Sequence, residues 1–414
     1  MPMQTCKRLG VTVQNTVTSF THRRMASASV GQRVAVLYQA VPPPIINGVK
    51  KPLKPGGYQD SGADIAYVLR KYNHEVITPT ISPDPTKDEG WCFPDTEDGI
   101  LAAIAQGANT LWANTILFSS HPLQTSLHIP DEVRLIGQPP DLVEKYDDKA
   151  LTNDLLRANG SFTLPKAWIL STHDEPSKTD NATSSFNYPI VAKPIRGRGS
   201  HGVKVCKDEQ VLRDHINKLF SESPEIMIEQ FLVGEEATVT VMPPALVSPS
   251  PSSTSSPQTT RFSEKSRATT YPLPDTLKYY SLPIVTRFNH EDGIAPYNGI
   301  VAVTANSRTI TPAEYAADPA YAAISRECEA AAELLRPTAP IRIDVRRAST
   351  EEGAKFAMFD VNMKPNATGP GRPGRENQAS LTAMAAASLG WSYAQYLEVC
   401  LKGARELGEL RRWK

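Results

Sequence analysis

The sequence predicts an α/β protein with a doubly wound N-terminal domain, followed by lobes that combine strands with helices. Three features of the chain lead to this prediction: strands and helices alternate from Gln32 onward, a glycine-rich segment separates two apolar runs at residues 188–208, and two strand-like runs follow each other between Ile341 and Asn366. The chain has 414 residues, of which 40% are hydrophobic, so it can bury cores in two or three domains or lobes.

The N-terminal alternation is read from hydrophobic periodicity. RVAVLYQ, EVITPTI and NTLWANTILF are apolar strands, SGADIAYVLRKYNH is an amphipathic helix, and TEDGILAAIAQG is a second helix that stops at Gly107. This βαβαβ order implies a parallel sheet, to which we assign residues 32–143. His121 follows the third strand near the expected cleft, although a loop histidine without a role is the alternative.

A central lobe, residues 144–228, is expected next. The helix DDKALTNDLLRANG has an acidic start and stops at Gly160, which places Lys149 in its first turn. In YPIVAKPIRGRGSHGVKVCKD, Lys193 precedes a glycine loop whose backbone N–H groups could cradle phosphate. The loop matches G-x-G-x-x-G, but a strand follows it rather than a helix, so we predict a hairpin and not a dinucleotide site. An ordinary glycine hairpin with a solvated lysine is the alternative.

The C-terminal lobe, residues 229–414, begins within IMIEQFLVGEEATVTVM. Glu229 ends an apolar strand, where an acid and free backbone groups could hold adenine, and Glu236 could then reach ribose hydroxyls. Both acids could equally be solvated strand ends. The serine-rich segment 245–270 has too few large apolar residues to fold and is expected to be a disordered insertion. The helices YAAISRECEAAAELLR and SYAQYLEVCLKGARELGELRR close the lobe.

Two strand-like runs, IRIDVRR and MFDVNMKPN, carry the strongest chemical signal. Because side chains alternate along a strand, Arg342 and Asp344 share one face, as do Asp360 and Asn362. If the strands are neighbours, one surface combines hard oxygen ligands for Mg²⁺ with a guanidinium that can bind phosphate or an oxyanion. Strands with merely polar outer faces are the alternative.

The order of these segments resembles the ATP-grasp superfamily, and within it the D-alanine:D-alanine ligase branch of carboxylate–amine ligases. The resemblance extends over about residues 34–404 outside the insertion, and it implies an N-terminal domain followed by a two-lobed ATP-grasp fold. It also implies roles: phosphate contacts from Lys149, Lys193 and the loop of Gly199, Ser200 and Gly202; adenine contacts from Glu229, Gln230 and Leu232; and ribose contacts from Glu236.

The resemblance further implies Asp344, Asp360 and Asn362 as ligands of Mg²⁺, or alternatively Mn²⁺, with Arg342 stabilising a tetrahedral intermediate. Asn366, Ser380 and Leu381 would contact substrate, the latter two at the carboxylate of the second amino acid. The expected reaction is ATP-dependent joining of a carboxylate, through an acyl phosphate, to the amine of an amino acid, with ADP and phosphate released. Lys278 and Arg287 are both candidates for a γ-phosphate contact.

Departures from the ligase pattern concern the first substrate. Asp360 stands where the ligases carry glutamate, and Gly199 stands where they carry a serine. Their acidic residue for the first amino group has no clear counterpart, because a loop rich in Pro, Gly and Lys follows the first strand and the first acid is Asp60. We therefore expect a first substrate other than D-alanine.

Composition limits the other functions. Net charge is zero, so nothing favours nucleic acid or an anionic membrane, and no apolar stretch approaches 18 residues. Five scattered cysteines indicate reduced thiols in an intracellular protein. Residues 1–31 are basic and rich in Ser and Thr, as in a mitochondrial transit peptide or a disordered tail, so the cytoplasm is expected and import is the alternative. A homodimer also remains open.

Two other functions stay open at this point. A non-catalytic ATP-binding module would retain the nucleotide residues, but it could lose the metal ligands that this chain keeps. An ATP-grasp enzyme that uses a thiol or bicarbonate as nucleophile would not need Ser380 and Leu381 for an amino-acid carboxylate.

Overall fold

The computed structural model describes residues 31–51, 53–174, 183–197, 199–245, 271, 274–290, 292–294 and 303–413. The predicted leader and the predicted serine-rich insertion lie outside the described residues, except for Gly31 and Ala245. From Gln32 onward the chain forms one unit by its internal contacts. None of the helices in these ranges is long and apolar enough to cross a membrane.

Strands and helices of the N-terminal part alternate as predicted: β1 Arg33–Tyr38, α1 Gln59–Lys71, β2 Glu75–Ile77, β3 Phe93–Pro94, α2 Glu97–Ala105, β4 Thr110–Asn114, α3 Pro122–Thr125, β5 Arg134–Ile136 and α4 Pro140–Tyr146. β2, β3 and β4 run parallel to β1, and β5 runs parallel to β4. Val34 and Val36 enter one hydrophobic cluster, whereas Ala35 and Leu37 enter another. The sheet is therefore buried on both faces, which confirms the predicted doubly wound domain.

The central part is a four-stranded antiparallel sheet with two helices: α5 Lys149–Asn159, β6 Ala167–Ser171, β7 Ile190–Pro194, β8 Lys204–Cys206, α6 Glu209–Leu219 and β9 Glu225–Gln230. The strand order is β6-β9-β7-β8. β7 and β8 pair antiparallel, with Ile190 opposite Cys206. The glycine loop therefore joins a hairpin, as predicted, and does not open a helix.

The C-terminal part consists of β10 Glu236–Met242, β11 Tyr280–Ser281, β12 Val285–Arg287, β13 Ser307–Thr309, α7 Pro312–Ala317, α8 Pro319–Leu335, β14 Ile341–Arg347, β15 Phe356–Asn362, α9 Leu381–Ser388, α10 Tyr393–Lys402, β16 Arg405–Glu406 and α11 Leu407–Arg411. Its sheet has the order β13-β12-β10-β14-β15, with β11 also paired to β10. Ile341, Ile343 and Val345 of β14 are fully buried, so the alternate residues of this strand form the opposite face.

The prediction of one last helix through residues 392–412 is wrong. α10 ends before Gly403, and the chain then pairs with the N-terminal sheet, where Arg405 lies opposite Leu135 of β5. The apolar periodicity that suggested a continuous helix has a different cause, because Leu407 and Leu410 pack into the hydrophobic core from the short helix α11.

Candidate active site

Four charged or polar side chains meet on one face of β14 and β15. The two strands are antiparallel neighbours, with Arg342 opposite Asn362 and Asp344 opposite Asp360. The Arg342 guanidinium donates through Nε and Nη2 to the two carboxylate oxygens of Asp344, each at 2.9 Å. Asn362 Nδ2 also donates to Asp344, at 3.0 Å. The two strands are therefore neighbours, which is the condition under which the sequence places these side chains on one surface.

Two lysines reach this face from the central part of the chain. Lys149 Nζ lies 2.8 Å from an oxygen of Asp360. Lys193 Nζ lies 2.5 Å from Glu229 Oε2 and donates to the carbonyl oxygen of Phe359 at 3.0 Å. Because Phe359 immediately precedes Asp360 on β15, both ammonium groups lie at the same strand. The structure therefore brings the predicted phosphate lysines to the predicted metal carboxylates.

The start of α5 explains how Lys149 is placed. Asp148 caps the helix by accepting a hydrogen bond from Leu151 N at 3.0 Å, and Lys149 N donates to Ile195 O at 2.9 Å. Arg196 donates to Asp148 at 3.2 Å and to the Glu144 carbonyl at 2.8 Å. The first turn of α5 is thus fixed to the end of β7, two residues beyond Lys193. The sequence did not indicate this role for Arg196.

Burial and pairing act in opposite directions on the ionisation of Lys149 and Asp360. Burial disfavours the charged form of each group, but the attraction between the two outweighs it. The pKa of Lys149 is raised above its ordinary value, and the pKa of Asp360 is lowered, with Lys193 adding to the effect on Asp360. Both groups are therefore charged at neutral pH, as phosphate binding and metal coordination require.

The predicted adenine and ribose residues lie in and around the turn between β9 and β10: Glu229 and Gln230 end β9, Leu232 is in the turn, and Glu236 begins β10. Glu229 is buried and accepts a hydrogen bond from Asn153 Nδ2 at 3.1 Å, beside its ion pair with Lys193. Leu232 is also buried, whereas the Gln230 side chain is exposed. Glu236 lies 2.9 Å from His290, 3.6 Å from Arg287 and 3.5 Å from Arg346.

The glycine loop between β7 and β8 has a left-handed backbone at three positions. The φ angles are +57° at Gly199, +59° at Ser200 and +71° at Gly202. A Cβ atom on Gly202 would lie 2.9 Å from Leu219 Cδ2, whereas the space around Gly199 is open. Gly202 is therefore required for packing against α6, and Gly199 leaves room for a ligand to approach the backbone.

The predicted substrate residues lie after β15. Ser380 is the N-cap of α9, where its hydroxyl accepts from Ala383 N at 3.1 Å, and Leu381 is the first residue of that helix. Asn366 Oδ1 accepts from Thr368 N at 3.2 Å, which closes a local turn. Of the two candidates for a γ-phosphate contact, Lys278 is exposed near Asp275, whereas Arg287 is buried near Glu236.

A buried cluster that the sequence did not indicate holds the segment between Asn366 and Ser380. Asp64 of α1 accepts from Arg372 Nε at 2.8 Å, from Arg375 Nε and Nη2 at 2.8 and 2.9 Å, and from Thr368 Oγ1 at 3.2 Å. The side chains of Asp64 and Arg372 are completely buried. The loop that carries the predicted substrate residues is therefore anchored to the N-terminal sheet's first helix.

His121 is part of the core rather than of an open cleft. Its side chain is completely buried, its Nδ1 accepts from Leu123 N at 3.1 Å, and its Nε2 lies 3.2 Å from Asp95 Oδ2. Asp95 also accepts from the backbone of Ala40 and Val41, each at 2.7 Å. This arrangement supports a structural role for His121, fixing the loop that follows β1.

The donor set on β14 and β15 suits a hard divalent cation. Asp344 and Asp360 supply carboxylate oxygens on directly opposed residues, and Asn362 supplies an amide beside them. Among the described residues no group of three or more His, Cys, Asp or Glu side chains could hold a metal ion. A site with three protein ligands at this face would therefore need the Asn362 amide as its third ligand. Because Asn362 donates to Asp344, its amide would have to rotate to present oxygen to a cation.

Sequence comparison with known proteins matches the middle of the chain. The family described as "D-ala D-ala ligase C-terminus" matches residues 161–266. A D-alanine–D-alanine ligase of Clostridium beijerinckii is 32% identical over 94 residues, which are 23% of this chain and 30% of that protein. A carbamoyl phosphate synthase large chain of Mycobacterium tuberculosis is 26% identical over 102 residues, covering 24% of this chain and 9% of that protein. The matched regions thus span less than a third of these relatives.

Structural comparison extends over most of the chain. A D-alanine–D-alanine ligase from Bacillus anthracis, complexed with ATP, has a TM-score of 0.56 at 16% identity, covering 93% of this chain and 99% of that one. The VanG D-Ala:D-Ser ligase from Enterococcus faecalis has a TM-score of 0.56 at 12% identity, covering 90% and 99%. The protein therefore has the ATP-grasp fold. The protein is similar to the D-alanine–D-alanine ligases in sequence over part of the chain and in fold over most of it, which confirms the resemblance found in the sequence.

Proposed function

We propose that the protein is an ATP-dependent ligase that joins a carboxylate to the amine of an amino acid and releases ADP and phosphate. One observation carries the proposal: two lysines, two carboxylates, an amide and a guanidinium converge on one face of β14 and β15. An ATP-binding module without catalysis would need the lysines but not Arg342. The ligase relatives in sequence and structure support the same reaction.

The first half of the reaction is transfer of the γ-phosphoryl group of ATP to the substrate carboxylate. Lys149 and Lys193 would bind phosphate oxygens, and the backbone of the loop at Gly199, where the space is open, would offer further donors together with Ser200. Glu229, Gln230 and Leu232 would hold adenine, and Glu236 would hold the ribose. The acyl phosphate formed in this way is a better electrophile than the carboxylate.

A magnesium ion, or a manganese ion, would be held by Asp344, Asp360 and Asn362. When bound, such an ion neutralises negative charge that develops on the transferring phosphoryl group. Asp360 would leave its contact with Lys149, and that ammonium would turn to the phosphates.

The second half of the reaction is attack by the amine on the acyl phosphate. The tetrahedral intermediate carries an oxyanion, and Arg342, a buried cation on the same face, would stabilise it. Ser380 and Leu381 would hold the carboxylate of the amine substrate, and Asn366 would contact substrate beside them. Because the described cysteines Cys92, Cys206, Cys328 and Cys400 are all free thiols, we place this activity in a reducing compartment.

Substitution of Lys193 and Arg342 by alanine tests these roles, with phosphate release measured from MgATP over a panel of D- and L-amino acid pairs. Lys193 would meet phosphates already present in bound ATP, so Lys193→Ala should weaken both nucleotide binding and turnover. Arg342 would meet an oxyanion that exists only after attack, so Arg342→Ala should lower turnover by roughly 10² to 10³-fold and leave nucleotide affinity nearly unchanged.

Titration of a non-hydrolysable ATP analogue into both variants separates the outcomes. Equal losses of analogue affinity in Lys193→Ala and Arg342→Ala would indicate that Arg342 binds phosphate, which would contradict its proposed role. Lack of phosphate release from the parent protein with every pair, beside normal analogue binding, would instead favour the binding module.

A further inference from the structure

Two lysines from distant parts of the chain face the same tyrosine ring. Lys54 Nζ lies 4.6 Å from the centre of the Tyr58 ring, and Lys364 Nζ lies 3.4 Å from it. The two ammonium nitrogens are therefore no more than about 8 Å apart, the sum of those distances. That separation is at most about one Debye length, which is about 8 to 10 Å, so salt screens the repulsion between the two like charges only in part.

The attraction of both ammonium groups to the Tyr58 ring offsets part of this repulsion. The carboxylate of Asp60, which is paired with Lys54, offsets another part. Asp60 Oδ1 lies 3.0 Å from Lys54 Nζ, and Arg375 Nη2 lies 4.0 Å from Asp60 Oδ2. Burial would raise the pKa of Asp60, but the pKa is lowered, chiefly by Lys54 and a backbone hydrogen bond from Ser61, with a smaller effect of Arg375. The ammonium nitrogen of Lys364 is itself shielded from solvent. A concentration of positive charge of this kind raises the local affinity for anions.

The lysine pair lies next to the proposed reaction centre. Lys364 follows Asn362 by two residues at the end of β15, and Asn362 is opposite Arg342. Tyr58 is fixed to the carboxyl end of β4, because Asn114 Nδ2 donates to the Tyr58 carbonyl at 2.9 Å. Ligands of doubly wound domains bind at the carboxyl ends of the strands. A cavity of about 60 Å³ opens there, and of the lysine pair it is Lys364 that lines it, beside Asn114, Thr115 and mostly apolar residues.

We infer that Lys54 and Lys364, which both face the Tyr58 ring, recognise a second anionic group on the carboxylate substrate. The inference rests on the proposed ligase function. The preferred substrate is accordingly an acidic molecule such as a dicarboxylate or an acidic amino acid, with one carboxylate activated near Arg342 and the other bound by the lysine pair. The carboxylate of the amine substrate is assigned separately, to Ser380 and Leu381.

The test compares carboxylate donors that are matched in shape and differ in charge, namely glutamate with glutamine and aspartate with asparagine, as both enantiomers. Phosphate release from MgATP is measured with each donor and a fixed panel of amines. We expect kcat/KM for the acid to exceed that of its amide by roughly 10- to 100-fold, the effect of one or two hydrogen bonds to charged groups.

Variants then locate the effect. Lys364→Met and Lys54→Met should lower kcat/KM for the acid by roughly 10-fold or more, chiefly through KM, and should leave the amide nearly unchanged. Tyr58→Phe keeps the ring and should retain the preference. Lys50→Met removes an exposed lysine from the same loop and serves as the matched control. Thermal unfolding of each variant verifies that it is folded.

The outcomes separate this inference from the proposed function. Equal use of acids and amides by an active ligase would overturn the inference and leave the function standing. A preference for acids that survives both lysine variants, or that appears only on the amine side, would also overturn it. Lack of phosphate release with every pair would overturn the proposed function and this inference together.

Discussion

Removal of the Glu229 charge is the most direct perturbation of the candidate site. The side chains of Lys193 and Glu229 are 4% and 3% exposed, so this is a fully buried ion pair. Loss of one partner from such a pair costs about 3 to 5 kcal/mol, because the other charge stays buried without compensation. In the Glu229→Gln variant, Lys193 retains its hydrogen bond to the Phe359 carbonyl, and the new amide oxygen could still accept from Asn153. We therefore expect the substitution to cost about 3 kcal/mol, at the lower end of that range.

Equilibrium urea unfolding at neutral pH measures this loss. The double variant Glu229→Gln with Lys193→Met removes both charges, and it should recover most of the free energy of unfolding, with a coupling energy of about 2 kcal/mol between the two sites. Glu409→Gln, in the more exposed pair with Arg405, is the matched control and should cost less than about 1 kcal/mol. A Glu229→Gln variant as stable as the control, or strictly additive losses in the double variant, would refute the reasoning.

Two further predictions concern other charges of the site. Asp344→Asn should lower phosphate release by more than about 100-fold while analogue binding survives at reduced affinity, because the carboxylate acts mainly on charge that develops during transfer, and wild-type turnover would contradict the metal role. Burial disfavours the charged form of Glu236, but His290, Arg287 and Arg346 lower its pKa below the ordinary value of 4.5. The stability that this charge contributes is therefore present above pH 4.5, and it is lost as the pH falls from there through the pKa of the folded state. Glu236→Gln should therefore cost about 1.5 to 3 kcal/mol in urea unfolding at pH 7 and clearly less near pH 4, and an equal cost at both pH values would show that the carboxylate charge is not what stabilises the site.

The side chains of β14 and β15 that share a face could be predicted, because the face of each residue depends on the local sequence pattern. The spacing of two between Arg342 and Asp344, and again between Asp360 and Asn362, determines which side chains share a face. The short connection between the runs favours neighbouring antiparallel strands. The hairpin around the glycine loop was predictable for the same reason, since an apolar run stands on each side of it.

Contacts between distant segments could not be predicted in this way. Asp64 and Arg372 are separated by 308 positions, and no periodicity links α1 to the loop before α9. Likewise, nothing in the local pattern indicates that Lys193 faces Glu229 rather than solvent. The error at the C-terminus has the same origin, because the end of α10 at Lys402 is decided by the pairing of Arg405 with β5, a strand about 270 residues earlier.

The three ion pairs of the site indicate how it would accept a nucleotide and a metal ion. Lys149 is paired with Asp360, Lys193 with Glu229 and Arg342 with Asp344, so each cation proposed to meet phosphate or an oxyanion already has an anionic partner. A buried cation without a partner would destabilise the fold. Asp360 and Asp344 are proposed metal ligands, so a divalent cation at these carboxylates, together with phosphate at Lys149 and an oxyanion at Arg342, can replace the partners of both pairs without leaving a charge unpaired. Glu229 is not a proposed metal ligand and would stay beside Lys193. It follows that phosphate and metal should bind cooperatively, since either one alone would release a buried charge of the opposite sign.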